Sequence, residues 1–212
     1  MQKNINSISF FDGHFYKLVP TCGYPTLQID GIQMHRVKEI TPEKDAELKV
    51  KKLRVKKGDR VLDICTGLGY TAIFLAQKGA LVTTIESDEN VVRIAKLNPY
   101  SKPLFEMEER GEIELIFGDA CKKVKNFADN SFDCVLHDPP KYGLAEKLYS
   151  EKFYSELYRI LKPNGKLFHY VGTPGSKYRK VNLPGKVKGH LKIVGFKEIV
   201  WDNETSGILA IK

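Results

Sequence analysis

The sequence predicts an α/β protein with a doubly wound, mostly parallel sheet of seven strands. From Arg60 onward, short β-rich runs alternate with longer runs of helical periodicity. Strands separated by helices of this length need right-handed crossovers, which place helices on both faces of a parallel sheet. The last two apolar runs, FKEIVWD and SGILAIK, are separated only by a turn. They predict an antiparallel C-terminal hairpin at the sheet edge.

Five further strands and three helices are predicted ahead of that hairpin. The strands are RVLDI (60–64), LVTTIE (81–86), EIELIF (112–117), FDCVLHD (132–138) and KLFHYVG (166–172). The helices are YTAIFLAQKG, closed by Gly79; SDENVVRIAKLN, capped by Ser87 and stopped by Pro99; and KLYSEKFYSELYRIL, ended by KPNG.

Residues 1–50 have a different pattern from residues 51–212, so the chain is divided there. TLQIDGIQMHRV contains an Asp-Gly turn signal between two strand-like halves, which predicts a small N-terminal β-hairpin lobe. A lead-in helix follows in TPEKDAELKVKKL, with Thr41 as its cap and Pro42 at its first position.

Composition restricts the class of protein and its partners. The formal net charge of +8 and a pI of about 9.2 favour a polyanionic partner such as RNA or DNA, or simply a Lys-rich surface. The four cysteines lack CxxC spacing, so neither a metal site nor a disulfide framework is predicted. No signal peptide is recognisable and no apolar run approaches the ~20 residues of a membrane span. We therefore expect a cytoplasmic protein without a membrane partner.

Candidate ligand-binding residues recur at the carboxyl ends of the predicted strands. Gly67 and Gly69 follow the first strand, where a doubly wound sheet binds its ligand and glycine lets the backbone approach closely. Glu86 ends the second strand, in a position to accept hydrogen bonds from ribose hydroxyls. Asp119 follows the third strand, either as a ligand contact or as a helix cap, and Asp138 follows the fourth.

Taken together and in order, these motifs resemble those of the class I S-adenosylmethionine-dependent methyltransferases. The resemblance covers about residues 55–212 and is carried by VLDICTGLGYTA, TTIESDENVVRIA, LIFGDA and VLHDPPKYG, including the DPPK motif of archaeal-type members. It implies a Rossmann-like fold and S-adenosylmethionine as cofactor. Cys65 stands where the family's DxGxGxG pattern has its first glycine, a replacement that a negative φ would permit.

The resemblance implies a role for each matching residue. Asp63 and the loop 66–70, with Cys65, Thr66, Gly67, Gly69 and Tyr70, would hold the methionine moiety. Glu86 would bind the ribose, Ser87 and Asp88 would flank the adenine, and Asp119 and Ala120 would meet its amino edge. The remaining cofactor-binding candidate is His137.

DPPK is similar to the DPPY and DPPF motifs of methyltransferases that act on amines. The likeness implies that Asp138 and Pro139 hold the target nitrogen and that Tyr142 stacks on it, although Lys141 occupies the family's aromatic position. Methylation of a pyrimidine carbon would need a cysteine nucleophile, and no cysteine follows Cys134. His137 and His169 are predicted to be either packed structural residues or proton acceptors near the cleft.

The acceptor is predicted to be a nitrogen of RNA or of another amine-bearing substrate. Basic residues interleaved with an aromatic in segment 175–192 suit phosphate contact, although an exposed helix and loop face would have the same composition. An alternative is a polyamine aminopropyltransferase, which resembles this chain in its N-terminal β lobe. A non-catalytic cofactor-binding module would need broken ligand positions, yet Asp63, Glu86, Asp119 and Asp138 are all present.

Overall fold

The computed structural model describes residues 8–172 and 182–212. These residues form two sheets. The smaller sheet is antiparallel, in the order β1 to β4, and contains β1 (Ser9–Asp12), β2 (His14–Val19), β3 (Thr26–Ile29) and β4 (Ile32–Gln33). The larger sheet contains β5 (Arg60–Ile64), β6 (Leu81–Glu86), β7 (Ile113–Phe117), β8 (Phe132–His137), β9 (Leu161–Tyr170), β10 (Lys197–Asp202) and β11 (Gly207–Ile211).

The strand order of the larger sheet is β10-β11-β9-β8-β5-β6-β7. Strands β5 to β9 pair in parallel, whereas β11 pairs antiparallel to β9 and β10 antiparallel to β11. The predicted sheet and its C-terminal hairpin are therefore confirmed. The chain proceeds from β5 towards β7 on one side and from β8 towards β10 on the other. The strand order thus reverses between β5 and β8, which is where this architecture opens a crevice.

Seven helices occur among the described residues, and they cover both faces of the larger sheet. They are α1 (Pro42–Leu53), α2 (Tyr70–Gln77), α3 (Glu89–Leu97), α4 (Lys102–Glu109), α5 (Ala120–Lys123), α6 (Glu151–Ile160) and α7 (Leu183–Val194). On β8, Val135 packs with α6 and α7, whereas Cys134 and Leu136 pack with α1 and α2. This period of two buries a strand on both faces and explains its continuous apolar sequence.

The N-terminal lobe is larger than the single predicted hairpin. The Asp30-Gly31 turn joins β3 to β4 as predicted, but β1 and β2 complete a four-stranded sheet. Its apolar face packs on α1 and α3 in one buried cluster, which includes Leu18 and Leu27 from the lobe. The predicted boundary after residue 50 falls within α1 and stays a prediction.

Several predicted helix ends differ from the structure. Asp88, not Ser87, caps α3, because the Asp88 carboxylate accepts the Asn90 N–H at 2.8 Å. Thr41 occupies the cap position of α1, but its buried hydroxyl has no hydrogen-bond partner among the described residues. Helix α6 ends at Ile160, ahead of KPNG as predicted, but KPNG lies within strand β9, where the register of the β8–β9 pairing shifts. Strand β9 starts at Leu161, because Pro163 disfavours a helical residue before it and Leu161 pairs with Phe132.

Helix α4 was not predicted at all. It is short and polar, and Pro103 lies in its first turn. Among the described residues, no helix combines the length and apolar character needed to cross a membrane.

Candidate active site

A cavity of about 280 Å³ opens at the carboxyl ends of β5 and β8, between the larger sheet and the N-terminal lobe. One side of the cavity is the crevice at the switch in strand order, and the other side comes from β3, the loop after β4 and α1. The structure brings together there most of the predicted cofactor and acceptor residues: Cys65, Thr66, Gly67, Tyr70, Glu86, Ser87, Asp88, Asp138 and Pro139.

A second cavity, of about 450 Å³, adjoins the first and shares Cys65, Glu86 and Ser87 with it. Asp119 and Ala120, predicted for the adenine, line this second cavity. Asp119 is also the helix cap that the sequence left open, because its carboxylate accepts the Cys121 N–H at 2.8 Å. The two cavities form an extended cleft with the Glu86 side chain at their junction.

The glycine loop departs from the prediction at Cys65. The replacement of glycine by cysteine was expected to require a negative φ, but Cys65 has a φ of +74°. A side chain in this left-handed region is disfavoured, so the loop holds Cys65 in a strained conformation. The backbone N–H groups of Cys65 and Thr66 both donate to the Ile85 carbonyl, at 3.0 and 3.1 Å, and these bonds fix the turn.

The two loop glycines serve different purposes. Gly67 has a φ of +56° and lines the first cavity, and a Cβ there would meet no atom nearer than the Cys65 carbonyl oxygen at 4.0 Å. Gly69 lines neither cavity. A Cβ on Gly69 would lie 2.6 Å from the Leu104 Cδ2 atom of α4. The crowding at Gly69 in the structure therefore comes from a helix, and contact of a cofactor with this glycine stays a prediction.

Asp63 lies beneath the loop and lines neither cavity. Its fully buried carboxylate accepts hydrogen bonds from the Thr71 hydroxyl at 2.9 Å and the Thr84 hydroxyl at 2.7 Å. Thr84 in turn bonds the Thr66 hydroxyl at 2.7 Å. Burial raises the pKa of Asp63 to about 7, against the opposing effect of both hydroxyls. Asp63 thus supports the loop from below, and its predicted contact with a cofactor stays a prediction.

Glu86 connects β6 to the glycine loop. One carboxylate oxygen accepts the Ser87 and Asp88 N–H groups at 2.8 and 3.1 Å, and the other accepts the Gly67 N–H at 2.9 Å. Burial raises the pKa of the carboxyl, and the three N–H groups oppose that rise. A carboxylate has about four acceptor positions. The oxygen that binds Gly67 thus retains an acceptor position for a ligand hydroxyl.

Asp138 lies in a charged cluster that sequence reasoning missed. Its Oδ2 atom accepts a hydrogen bond from the Lys49 ammonium at 2.7 Å, and Lys49 also pairs with Asp45 at 2.9 Å. Arg36 donates to Asp45 at 2.8 Å and to the Glu204 carbonyl at 2.9 Å. The four side chains of Arg36, Asp45, Lys49 and Asp138 are called here the charged cluster. The i,i+4 spacing of Asp45 and Lys49 on the lead-in helix was the available signal.

Like Asp63 and Gly69, the residues His137, His169 and Tyr142 lie away from both cavities. His137 is fully buried, donates its Nε2–H to the Leu148 carbonyl at 3.0 Å, and packs against His169 at a ring-centroid distance of 4.4 Å. Burial lowers the pKa of His137 to about 4. His137 and His169 are thus packed core residues. Tyr142 packs edge-on to Tyr149, and its hydroxyl oxygen accepts a hydrogen bond from Lys186 at 3.0 Å.

The basic segment 175–192 is only partly described. Residues 173–181 lie outside the described residues, and 183–192 belong to α7, where Lys186 and Lys192 are exposed. Residues 8–172 and 182–212 contain no group of three or more His, Cys, Asp or Glu side chains that could hold a metal ion.

Residues 62–169, which are half of the chain, match the family model described as "Methyltransferase domain". The matched range includes the strand ends that line both cavities. The chain belongs to this methyltransferase family. It is an S-adenosylmethionine-dependent enzyme, and the resemblance to the class I methyltransferases is confirmed, whereas the likeness of DPPK to archaeal-type members stays a prediction.

Curated relatives are similar over most of the methyltransferase chain. An uncharacterized protein of Methanocaldococcus jannaschii is 51% identical over 198 residues, which are 93% of this chain and 67% of the relative. A demethylmenaquinone methyltransferase of Listeria welshimeri is 32% identical over 169 residues, covering 74% of this chain and 66% of that protein. The chain thus spans about two thirds of the length of either relative.

The methyltransferase also has the fold of a solved spermidine synthase in complex with the transition-state analogue AdoDATO. The TM-score is 0.74 with 19% identity, and the match covers 97% of this chain and 73% of that one. This likeness includes the N-terminal lobe as well as the larger sheet, and at this identity it concerns the fold alone.

Proposed function

We propose that this methyltransferase transfers the methyl group of S-adenosylmethionine to a nitrogen of an amine-bearing acceptor. The observation that carries the proposal is the Asp138 carboxylate at the edge of the first cavity. Its Oδ2 atom is held by Lys49, whereas its Oδ1 atom has no hydrogen-bond partner among the described residues. A fixed carboxylate with one free oxygen can accept an N–H group and thereby aim the nitrogen lone pair.

The cleft fits the cofactor at several points. Gly67 leaves space where any other residue would project a side chain into the cavity. Glu86 retains an acceptor position for a ribose hydroxyl, and Ser87, Asp119 and Ala120 line the adjoining cavity that would hold the adenine. When bound, the cofactor supplies an electrophilic methyl group on a positively charged sulfur.

Asp138 would orient the acceptor nitrogen and accept its proton, and the surrounding cavity would hold the acceptor in place. The nitrogen lone pair would form the new N–C bond while the S–C bond breaks. The electron pair of the broken S–C bond would stay on sulfur, which becomes part of a neutral thioether. The methylated nitrogen then carries a positive charge and releases its proton to Asp138 or to water. Burial raises the pKa of the Asp138 carboxyl, which the Lys49 ammonium opposes. Positioning would provide most of the rate, because the donor is already reactive.

The test is incubation with methyl-labelled cofactor and separate pools of RNA, protein and small metabolites, followed by Asp138→Asn in the pool that gains label. We expect turnover to fall by about 100-fold or more, with cofactor affinity changed less than about threefold. Asp133→Asn is the matched control, since Asp133 lies at the opposite end of β8 and pairs with Lys162. Equal turnover of the Asp138 variant, or label on carbon or oxygen, would contradict the proposal.

RNA is the macromolecular acceptor that the charge of the chain favours. The proposal is supported by the net charge of +8 and by exposed Lys186 and Lys192 on α7. Lys186 contacts Tyr142, whose neighbour in the chain, Gly143, lines the second cavity. Binding to RNA through phosphate contacts should weaken steeply as salt rises. Salt-insensitive binding, or no label in the RNA pool, would remove RNA as the acceptor.

A second candidate is transfer of an aminopropyl group from decarboxylated S-adenosylmethionine. The observation in its favour is the four-stranded lobe together with the fold likeness to spermidine synthase. The family match favours the methyltransferase. Calorimetry with both cofactors separates the two functions, because the cofactor's carboxylate should contribute affinity only in a methyltransferase.

A further inference from the structure

The charged cluster lies where an acceptor amine would have to bind. Asp45, Lys49 and Asp138 all line the first cavity, and the side chains of Asp45 and Lys49 are only 3% and 6% exposed. Lys49 Nζ lies between two carboxylate oxygens, at 2.9 Å from Asp45 and 2.7 Å from Asp138. It also lies 4.2 Å from the centre of the Tyr170 ring, a cation–π distance. The ammonium is therefore held by three separate groups.

The cluster is neutral as a whole. Asp45 and Asp138 contribute two negative charges, and Lys49 and Arg36 contribute two positive charges. Although burial opposes the ammonium form, the two carboxylates raise the pKa of Lys49. An ammonium ion that approached Asp138 would meet carboxylates already paired with Lys49 and Arg36, and it would lie beside the Lys49 ammonium in a site shielded from water, which is unfavourable.

We propose that Lys49 is a specificity-determining residue that fills the place of a cationic amine and restricts the acceptor to amines that are uncharged at neutral pH. This inference rests on the proposed amine methylation. An uncharged amine satisfies both requirements of the site. It can donate an N–H to the free Asp138 Oδ1 atom, and it retains the lone pair that attacks the methyl group. An aliphatic ammonium has no lone pair and would meet Lys49 across the same carboxylate. Rejection by a fixed like charge is a recognised source of specificity.

The experiment compares two probe amines of similar size, aniline and benzylamine. At neutral pH aniline is uncharged and benzylamine is an ammonium ion. Their binding to protein saturated with S-adenosylhomocysteine is measured by calorimetry and by NMR. We expect the wild type to bind aniline at least about tenfold more tightly than benzylamine.

Lys49→Met removes the ammonium and leaves the two carboxylates with Arg36 alone. We expect benzylamine affinity to rise by about tenfold or more, with aniline affinity changed by less than about threefold. Lys49→Arg retains the charge and should keep rejecting benzylamine. Lys52→Met is the matched control, because Lys52 lies on the same helix and pairs with Asp202 and Glu204, outside the first cavity. A purely structural lysine would change both probes equally.

Two outcomes overturn the inference: a wild-type protein that binds benzylamine as tightly as aniline, or a Lys49→Met protein that gains no affinity for benzylamine. Retained affinity for S-adenosylhomocysteine and an unchanged circular dichroism spectrum establish that the variant is folded. The wild-type comparison needs no variant. Failure of the proposed function is separately visible as the absence of label on any amine nitrogen, whereas these binding results do not depend on turnover.

Discussion

Cys65 combines a left-handed backbone with a side chain that disfavours it. Because its φ of +74° strains any residue with a Cβ, Cys65→Gly should be more stable than Cys65→Ala by about 1 kcal/mol. This order is the reverse of the usual one, in which alanine is preferred over glycine. Urea denaturation of the two variants measures the difference. A more stable alanine variant would contradict the assignment of strain to this position.

His137 makes the free energy of unfolding depend on pH. Its pKa is lowered by burial to about 4, so the unfolded state binds more protons between this value and the ordinary 6.5. The His137 contribution is therefore intact above pH 6.5 and is lost as the pH falls towards 4. Asp63, with a pKa raised to about 7, acts in the opposite sense, favouring the folded state as the pH falls.

His137→Phe isolates the histidine contribution, because Asp63 titrates in both proteins. Acidification from about pH 7 to about pH 5 should destabilise the wild type by on the order of 2 kcal/mol more than the variant. Denaturant titrations at the two pH values provide the comparison. Equal losses in the two proteins would show that His137 does not titrate as described.

At the scale of single residues, the sequence predicted which residues lie at the site better than it predicted where their side chains point. The acidic site residues could be assigned because each of them ends or follows an apolar strand. Glu86, Asp119 and Asp138 all line the cleft. Side-chain direction was harder. His137 precedes Asp138 by one residue, and in a strand that single step turns a side chain to the other face, here into the core.

Among the structural elements, the contact between the glycine loop and α4 has a testable consequence. Gly69→Ala should cost about 2 kcal/mol or more, because its Cβ would collide with buried Leu104 and its φ of +79° is left-handed. Gly67→Ala should cost only about 1 kcal/mol of stability but lower the affinity for S-adenosylmethionine by about tenfold or more.

Denaturation and calorimetry on both alanine variants test this division of roles. If Gly69→Ala lost cofactor affinity but not stability, the loop would contact the cofactor at both glycines. The helix responsible could not be predicted from the sequence. It has only eight residues with a proline in the first turn, and its buried contacts through Leu104 and Met107 are made with other elements. Short helices depend on such tertiary packing rather than on local propensity.

For the molecule as a whole, Arg36 joins the N-terminal lobe to the larger sheet. It bonds Asp45 on α1 and the Glu204 carbonyl in the turn before β11. Arg36→Ala should therefore lower the free energy of unfolding by about 1–3 kcal/mol, since it leaves buried Asp45 with only Lys49. Arg110→Ala is the control, because its ion pair with Glu112 is exposed and should contribute nothing measurable. Equal stability of the two variants would contradict this role.

The mostly parallel sheet with its antiparallel C-terminal hairpin, and a cleft at the carboxyl ends of its strands, could be predicted because alternating strands and helices leave few topologies. The charged cluster could not. Lys49 and Asp138 are 89 residues apart, and Arg36 and Glu204 are 168 apart. Only the packing of the lobe against the sheet brings them together, and no local pattern encodes that packing.

The hydrogen bond from the Tyr16 hydroxyl to the Asp88 carboxylate, at 2.7 Å, ties β2 of the lobe to the residue that caps α3 and lines the first cavity. In a chimera of two homologous enzymes that takes its amino-terminal third from one parent, this hydrogen bond joins the two parts. A parent that lacks a hydroxyl donor at position 16 would leave the Asp88 Oδ2 atom without this donor and disturb the cavity lining beside Glu86. An exchange of lobes that is made to change the preference for the methyl acceptor therefore has to transfer the residues at positions 16 and 88 together.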